Sequence, residues 1–315
     1  MQRRPQLVLK IDVDTYRGTR EGVPNLVRML QAHQAHATFL FALGPDHTGR
    51  ALKRALRPGF FSKVSRTSVV AHYGIKTLLY GVLLPGPDIG REAAIEMRAA
   101  MEAGFECGIH TWDHVAWQDQ VRGKDAHWTV RMMRHSAARY QRVFGQPART
   151  HGAAGWQMNA AAFAEHDHAG YKYVSDGRAE LHDNGALLDP AMGPYRMAPG
   201  GAIQMPTTLP TLDELLGRTI DGVTLTEANI AAHLLALTAD PARDHVYTLH
   251  AELEGQKLAP IFDQLLSGWR AQGYILASMA DYYDKIKDLP LPLRRHGWGQ
   301  VPGRSGELIV AGAII

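Results

Sequence analysis

Cysteine is almost absent from the sequence, since Cys107 is the only one among 315 residues. A single cysteine cannot form an internal disulfide, and the chain has no cysteine pair of the kind that holds zinc in structural sites. Folding therefore requires no oxidising compartment. We expect a cytoplasmic protein.

Long hydrophobic runs are also missing. A membrane-spanning helix needs about 20 consecutive apolar residues, and even the apolar stretch 77–87 is short and contains Gly and Pro. The N-terminus begins with basic residues as an export signal does, but Lys10 interrupts its apolar run and Asp12 ends it. We expect this segment to be the first strand of the fold, with no membrane span elsewhere.

Acidic residues are absent from one long stretch, residues 47–87, which we call the basic segment. It contains seven Lys and Arg side chains and no Asp or Glu, whereas the whole chain has a net charge of only +3. A basic region on an otherwise mildly acidic chain indicates an anionic partner at that place. The segment is too long for a loop in a compact domain and is predicted to be an insertion.

Along most of the chain, short runs typical of strands alternate with amphipathic stretches typical of helices. This alternation predicts an α/β fold with a parallel sheet, and we favour a distorted (β/α) barrel because polar clusters follow several different strands. We expect one barrel domain over residues 1–288, which includes the basic segment after the second strand, and a surface tail over 289–315. The strands are predicted at 7–13, 36–43, 105–109, 171–174, 245–249 and 274–276, and the helices at 23–34, 90–103, 128–144, 160–168, 226–239 and 258–272.

Asp12 and Asp14 stand two residues apart at the end of the first predicted strand. The period of two in a strand puts both carboxylates on one face. Either residue alone could be an ordinary strand-ending turn. Two neighbouring carboxylates repel each other unless a cation or a proton separates them, so the pair favours a metal site at the barrel mouth.

His110 and His114 directly follow the predicted strand 105–109. Their i, i+4 spacing places two imidazoles on the same side of a helical turn, close enough to share a metal ion. Two His and one Asp would leave open positions for water, as catalytic metal sites do. His250 ends another predicted strand, where an imidazole could supply a proton to an expelled amine or be structural.

Taken together, these residues resemble the polysaccharide deacetylase (NodB-homology) superfamily of metal-dependent amide hydrolases. The match consists of five motifs in the same order: Ile-Asp-Val-Asp-Thr at 11–15, His-Thr-Trp-Asp-His at 110–114, Arg149 in Arg-Thr-His-Gly, Asp176 in Val-Ser-Asp-Gly and Leu-His at 249–250. The resemblance implies a distorted (β/α) barrel and one divalent metal ion, which could be zinc, cobalt or manganese.

The resemblance also implies roles for single residues. Asp14, His110 and His114 would hold the metal, Asp12 would be the catalytic base and His250 the catalytic acid. Arg149 would orient Asp12, and Asp176 would keep His250 protonated.

Within the superfamily, four longer segments resemble the deformylases that act on undecaprenyl-phosphate-linked 4-deoxy-4-formamido-L-arabinose in lipid A modification and polymyxin resistance. These segments are residues 11–24, 110–114, 150–157 and 249–255. We expect Trp156, Glu252 and Glu254 to bind substrate, although the two glutamates could equally well solvate a helix start. The resemblance predicts a peripheral location on the cytoplasmic face of the inner membrane.

The basic segment alternates cations with apolar residues at nearly helical spacing, which is typical of an element lying on a membrane surface. Anionic lipid would add on the order of 1 kcal/mol of attraction per cation. A helical flap with a solvated basic face is the alternative, and we expect no nucleic-acid partner. The residues expected to contact the membrane are Arg54, Arg57, Phe60, Phe61, Lys63 and Arg66.

Other functions remain open from the sequence alone. An N-deacetylase of another polysaccharide or amino sugar would share the metal ligands, although exported members normally have a signal peptide. A metal-dependent sugar isomerase would also be a barrel with His and acid ligands, but it has no need of an acid and a base on either side of the metal. A non-catalytic lipid- or carbohydrate-binding module would have no need of the complete set Asp12, His110, His114 and His250.

Overall fold

The computed structural model describes residues 4–51, 75–240 and 242–315. Its strands are β1 Gln6–Val13, β2 Thr38–Ala42, β3 Glu106–Thr111, β4 Thr150–His151, β5 Tyr173–Val174, β6 Tyr195–Arg196, β7 Ile203–Gln204, β8 Thr219–Ile220, β9 Val223–Thr224, β10 His245–His250, β11 Ile275–Ala277, β12 Arg294–Gly299 and β13 Leu308–Ile314. Its α-helices are α1 Val23–Ala32, α2 Ile75–Leu79, α3 Ile89–Glu92, α4 Ala94–Glu102, α5 His114–Gln120, α6 Ala126–Phe144, α7 Ala160–Ala169, α8 Leu212–Leu215, α9 Ile230–Ala236, α10 Ala259–Ala271 and α11 Met279–Ile286.

The main sheet has the strand order β10-β1-β2-β3-β4-β5-β7-β6, with β11 also paired to β1, and all of its pairs except β6–β7 are parallel. The chain beyond β7 returns to the other end of this sheet, where the Thr208 N–H donates to the Val246 carbonyl at 2.9 Å. The sheet therefore curls into a distorted barrel, which confirms the fold predicted from the sequence.

Strand β1 shows how the barrel separates its two faces. Leu9 and Ile11 belong to the large apolar cluster that includes buried residues of α1 and α10. Val8 instead packs with residues of β5, β7 and β10 inside the barrel. Lys10 and Asp12 share the face of Val8 because side chains alternate with a period of two. The carboxyl end of β1 thus delivers charged groups to the barrel interior.

Two predicted helices differ from the observed ones. The stretch 90–103 is divided at Ala93, which has φ −119° and ψ 21° and separates α3 from α4. The stretch 226–239 is helical only over α9, since Asn229 precedes this helix as its N-terminal cap position. Strand β4 and strands β6 to β9 were not predicted, because two residues are too few to show a period of two. Strands β12 and β13 were not predicted either, since they lie in the segment expected to be a tail.

The C-terminal segment 289–315 differs from the surface tail that was expected. Strands β12 and β13 form an antiparallel pair, and Leu308, Ile309 and Val310 are buried. Leu308 and Val310 pack with Trp156 in one apolar cluster. The segment is therefore part of the packed structure, while the boundary at residue 288 stays a prediction.

Among the described residues, no helix is long and apolar enough to cross a membrane. The structure describes the basic segment only at its two ends, residues 47–51 and 75–87. The six residues predicted to contact the membrane, Arg54, Arg57, Phe60, Phe61, Lys63 and Arg66, lie outside the described residues.

Candidate metal centre

Asp14, His110 and His114 meet at the carboxyl ends of β1 and β3. Asp14 Oδ1 is 3.2 Å from His110 Nε2, and Asp14 Oδ2 is 3.4 Å from His114 Nε2. One ligand atom from each residue lies within 4.8 Å of the other two. His110 is fully buried, whereas Asp14 and His114 are partly exposed, so the cluster opens toward solvent on one side.

A hydrogen bond fixes the orientation of the His110 ring. His110 Nδ1 donates to the Gly152 carbonyl at 2.8 Å, since a carbonyl oxygen can only accept. The Nε2 lone pair of the neutral ring therefore faces Asp14. Metal-binding imidazoles are held in this way in many proteins, with the second nitrogen bound to a backbone carbonyl.

Asp14 is held in its ionised form, and a buried carboxylate favours a cation beside it. Burial by itself raises the pKa of the Asp14 carboxyl, but the charges of His114, His110 and His250 outweigh it and hold that pKa well below its usual value. Asp12 Oδ1 and Asp14 Oδ1 are buried and accept no hydrogen bond. Two buried acceptors without donors, next to two imidazoles, are a donor set that fits a divalent ion such as zinc.

The position of His114 depends on the residue before it. Asp113 caps helix α5 through Oδ1, which accepts from the Ala116 N–H at 3.0 Å. Its other oxygen lies 2.6 Å from Nδ1 of His47, the first residue of the basic segment. The helix that carries His114 is therefore tied to the base of the basic segment.

Glu252 has a different place from the one expected for a substrate contact. It is buried, and its Oε1 accepts hydrogen bonds from the N–H groups of Asp14 (3.1 Å) and Thr15 (2.9 Å) and from the Thr15 hydroxyl (2.8 Å). A Cβ at Gly18 would overlap this oxygen. Burial and the charge of Asp14 raise the pKa of Glu252 well above its usual value. Glu252 thus fixes the backbone that presents Asp14.

Glu254 is likewise buried and faces the protein rather than an open cleft. It accepts hydrogen bonds from the Tyr247 hydroxyl at 3.1 Å and from the His250 N–H at 2.9 Å. Burial raises the pKa of Glu254 to about 7, although the charge of His250 opposes this rise. The structure therefore assigns Glu254 to the support of the turn that carries His250.

Asp12 and His250 lie beside the triad on neighbouring strands. They are direct partners in the parallel register of β1 and β10. Asp12 Oδ1 is 3.7 Å from His110 Nδ1, and Asp12 Oδ2 is 3.2 Å from Lys10 Nζ. The structure thus brings together the five residues predicted as metal ligands, base and acid.

Arg149 is not part of this cluster, so the expectation that it orients Asp12 is corrected. It is exposed and precedes β4, and it interacts electrostatically with Glu106 at the amino end of β3. The site lies at the opposite, carboxyl ends of these strands. The cation beside Asp12 is Lys10, whose side chain is fully buried.

Asp176 is also placed away from His250, contrary to expectation. Its Oδ1 lies 2.7 Å from His151 Nδ1. The carboxylates that act electrostatically with His250 are those of Asp14 and Glu254. Asp176 therefore belongs to a separate buried cluster on the outer side of β4.

Trp156 is 2% exposed, which does not fit the predicted substrate contact. Three cations lie over its indole ring, Lys10 at 5.2 Å, Arg178 at 4.5 Å and Arg304 at 4.9 Å from the ring centroid. The C-terminal strands cover it from outside. Trp156 is a buried packing residue of the barrel, and the face of its indole ring stabilises the neighbouring positive charges.

Sequence reasoning overlooked two residues of this site. Lys10 shares the inward face of Asp12 and Asp14 at a spacing of two, so the alternation that paired the carboxylates could also have found it. Gly152 had no such signal. A Cβ there would lie 2.9 Å from Lys10 Cε, so the glycine leaves room for the buried lysine.

Comparisons with known proteins agree with the geometry. The chain is 36% identical over 303 residues to a "probable 4-deoxy-4-formamido-L-arabinose-phosphoundecaprenol deformylase ArnD" of Shewanella sediminis (strain HAW-EB3), a match that covers 95% of this chain and 92% of that protein. A protein with the same description from Wigglesworthia glossinidia brevipalpis is 28% identical over 300 residues, covering 95% of this chain and 99% of that protein. No protein-family model matches the sequence.

A solved structure resembles the fold over nearly its whole length. The crystal structure of a "putative polysaccharide deacetylase" from Mycobacterium smegmatis has a TM-score of 0.60 and 14% sequence identity, and the match covers 96% of this chain and 97% of that one. At this identity the likeness supports the fold alone.

Replacing Lys10 by Met should lower the free energy of unfolding by about 3–5 kcal/mol, because the Asp12 carboxylate would stay buried without its neighbouring cation. Urea denaturation measures the change. Lys257→Met is the control, since Lys257 pairs with Glu227 on the surface and should cost at most about 1 kcal/mol. The double variant Lys10→Met/Asp12→Asn should recover part of the loss. If the loss of unfolding free energy in the double variant equals the sum of the losses in Lys10→Met and Asp12→Asn, the two residues do not form a stabilising pair.

Proposed function

Because the chain belongs to the family of 4-deoxy-4-formamido-L-arabinose-phosphoundecaprenol deformylases, within the polysaccharide deacetylase superfamily, we propose that it removes the formyl group from the undecaprenyl-phosphate-linked sugar. The products are formate and the free amino sugar used for lipid A modification and polymyxin resistance. The protein is a hydrolase of amide bonds with deformylase or deacetylase activity, and the substrate and the metal dependence are the proposed parts.

One observation carries the proposal. A base candidate, Asp12, and an acid candidate, His250, occupy neighbouring strand ends beside the cluster of Asp14, His110 and His114. Amide hydrolysis needs this combination, since water must lose a proton and the expelled amine must gain one. A binding module has no use for it.

Asp14, His110 and His114 would hold the divalent ion, which could be zinc, cobalt or manganese. When bound, such an ion supplies Lewis acidity toward the formyl oxygen and acidifies water. The residues of the chain supply the proton transfers. We propose that Asp12 Oδ1, a buried acceptor with no donor of its own, takes a proton from the attacking water.

The second proton transfer falls to His250. Its ring is partly exposed at the end of β10, and its backbone N–H donates to Glu254 at 2.9 Å, which fixes the turn that carries it. As the water oxygen bonds to the formyl carbon and the C–N bond breaks, His250 gives its proton to the departing sugar nitrogen. The formic acid formed gives up its remaining proton, which restores the proton on His250. Formate and the neutral amine then leave, and the proton held by Asp12 returns to solvent.

We also propose that the basic segment binds an anionic membrane surface on the cytoplasmic face of the inner membrane, where a lipid-linked substrate lies. Two features of its described ends support this. Val82, Leu83 and Leu84 are 52%, 75% and 38% exposed, so an apolar turn faces outward. The exposed Arg50 donates from Nε to the Gly81 carbonyl at 3.1 Å, which places a cation beside that turn.

Residues at the start of the basic segment, Asp46 just before it and His47 within it, contact residues next to the metal ligands. Asp46 Oδ2 accepts from the Tyr16 N–H at 2.9 Å, two residues beyond Asp14. His47 contacts Asp113, which precedes His114. If the basic segment binds the lipid part of the substrate, the attached sugar would therefore lie near Asp14, His110 and His114.

The protein should release formate from the undecaprenyl-phosphate-linked formamido sugar, and removal of metal should abolish this. We would measure formate with a coupled dehydrogenase before and after treatment with a chelator, and after adding back zinc, cobalt or manganese. Full turnover in metal-free protein would contradict the metal dependence. Equal hydrolysis of the acetamido analogue would favour a general deacetylase, and hydrolysis of neither compound would contradict the proposal.

Asp12→Asn and His250→Ala should each lower kcat by roughly 10² to 10⁴, because each residue moves a proton in the transition state. Metal content should stay at the wild-type level in both. Arg149→Gln is the matched control, since Arg149 is exposed at the other end of the barrel, and it should leave kcat nearly unchanged. Loss of metal in either active-site variant would mean that a ligand has been mistaken for an acid or a base.

The protein should sediment with vesicles that contain anionic lipid, and high salt should release it, because exposed charges are screened within about 8 Å at physiological ionic strength. The combined variant Arg54→Gln, Arg57→Gln, Lys63→Gln and Arg66→Gln should bind vesicles weakly and show a raised KM for the long-chain substrate. Hydrolysis of a short, water-soluble analogue is the control and should be nearly unchanged. Unaltered vesicle binding, or equal loss on both substrates, would contradict a membrane role.

A further inference from the structure

Two histidines and one aspartate, residue types that can bind metals, meet at a second place in the molecule, away from the open face of the barrel. His151 ends β4, His166 lies on α7, and Asp176 follows β5. Their side chains are 3%, 4% and 0% exposed. His151 Nδ1 lies 2.7 Å from Asp176 Oδ1, and His166 Nε2 lies 3.6 Å from Asp176 Oδ2.

The His166 ring has a buried nitrogen with no hydrogen-bond partner. Its Nε2 faces the Asp176 carboxylate at a distance too long for a hydrogen bond. Buried polar atoms in native proteins are almost always satisfied, so each exception requires an explanation. Burial lowers the pKa of His166 to about 4, which leaves the ring neutral at physiological pH, the form in which imidazole binds metals.

The Asp176 carboxylate is completely buried, yet no Lys or Arg in the described part of the chain pairs with it. Its ion-pair partners there are the two imidazoles, and Gln204 Nε2 donates to Oδ2 at 3.1 Å. Burial raises the pKa of this carboxyl, but its contacts with the two imidazoles and the hydrogen bonds from His151 and Gln204 outweigh burial and lower the pKa. An ionised buried carboxylate requires a positive charge beside it.

We propose that His151, His166 and Asp176 form a second divalent-cation site, distinct from the catalytic one and suited to Zn²⁺ or Co²⁺. One ligand atom from each residue lies within 4.8 Å of the other two. Imidazole and carboxylate are ligands that zinc and cobalt accept. A cation here accepts the lone pair of His166 Nε2 and balances the charge of Asp176. It therefore accounts both for the buried nitrogen without a hydrogen-bond partner and for the buried carboxylate without a Lys or Arg partner.

The burial of this site indicates a structural cation rather than a catalytic one. Its ligands come from two strands and the helix between them, so a bound ion links β4, α7 and β5. His151 immediately precedes Gly152, whose carbonyl accepts the hydrogen bond from His110. An ion bound at the second site therefore stabilises the backbone at Gly152, which orients His110 of the first site.

The experiment separates the two sites by removing a ligand of the first. Chelator-treated His114→Ala protein is dialysed against micromolar zinc, its metal content is measured by mass spectrometry, and its Tm is recorded with and without zinc. We expect about one tightly bound ion and a rise of Tm, because an ion that binds the folded state stabilises it. His114→Ala/His166→Ala should bind none and show no rise.

His114→Ala/His168→Ala is the matched control, since His168 lies on the same helix but is exposed, and it should behave as His114→Ala does. If the His166 variant does not fold, equilibrium dialysis of the wild-type protein with Co²⁺ decides: two tightly bound equivalents support the proposal and one overturns it. Equal zinc binding by His114→Ala and His114→Ala/His166→Ala would also overturn the second site. The positive charge beside Asp176 would then come from a protonated imidazole. Formate release is not a readout of this test, and the comparison of the His114→Ala variants does not depend on the proposed function. The count in the wild-type protein rests on the metal of the proposed catalytic site as well.

Discussion

Two carboxylates at the end of one buried strand can stay ionised only if positive charge surrounds them, and the architecture of this site follows from that requirement. Lys10 lies beside Asp12, and the imidazoles of His110 and His114 face Asp14. These groups come from β1, β3 and the start of α5. The parallel barrel is what brings them together, because the carboxyl ends of its strands meet at one face.

A second set of buried charges lies on the Trp156 ring, which Lys10 of the site also contacts. Arg178 and Glu214 form a fully buried pair, and the Arg178 guanidinium also lies over the Trp156 ring. Arg304, which follows β12, reaches the same glutamate with Nε at 2.7 Å. The C-terminal segment therefore closes a polar core as well as covering an apolar surface, and this explains why it is packed rather than free.

The basic segment begins beside the candidate metal centre. Its first residue, His47, touches the cap of the helix that carries His114, and Asp46 just before it holds the N–H of Tyr16. A few hydrogen bonds at the rim of the barrel therefore connect the start of this segment with the cluster of Asp14, His110 and His114.

The sequence by itself determined the alternation of strands and helices, the barrel and the grouping of Asp12, Asp14, His110 and His114, because these depend on periods of two and of about four residues within short segments. The family resemblance followed from the order of five such segments. The sequence could not determine which charged side chains contact each other across the barrel. The tertiary structure placed Lys10 rather than Arg149 beside Asp12, and it turned Asp176 away from His250.

Glu252 shows the physical reason for this limit. Whether it faces substrate or holds the backbone of Asp14 depends on a contact between residues 238 positions apart. Such contacts are set by strand order and register, which no local pattern encodes. Sequence periodicity decided which side chains point inward, and only the closed barrel decided which partners they find there.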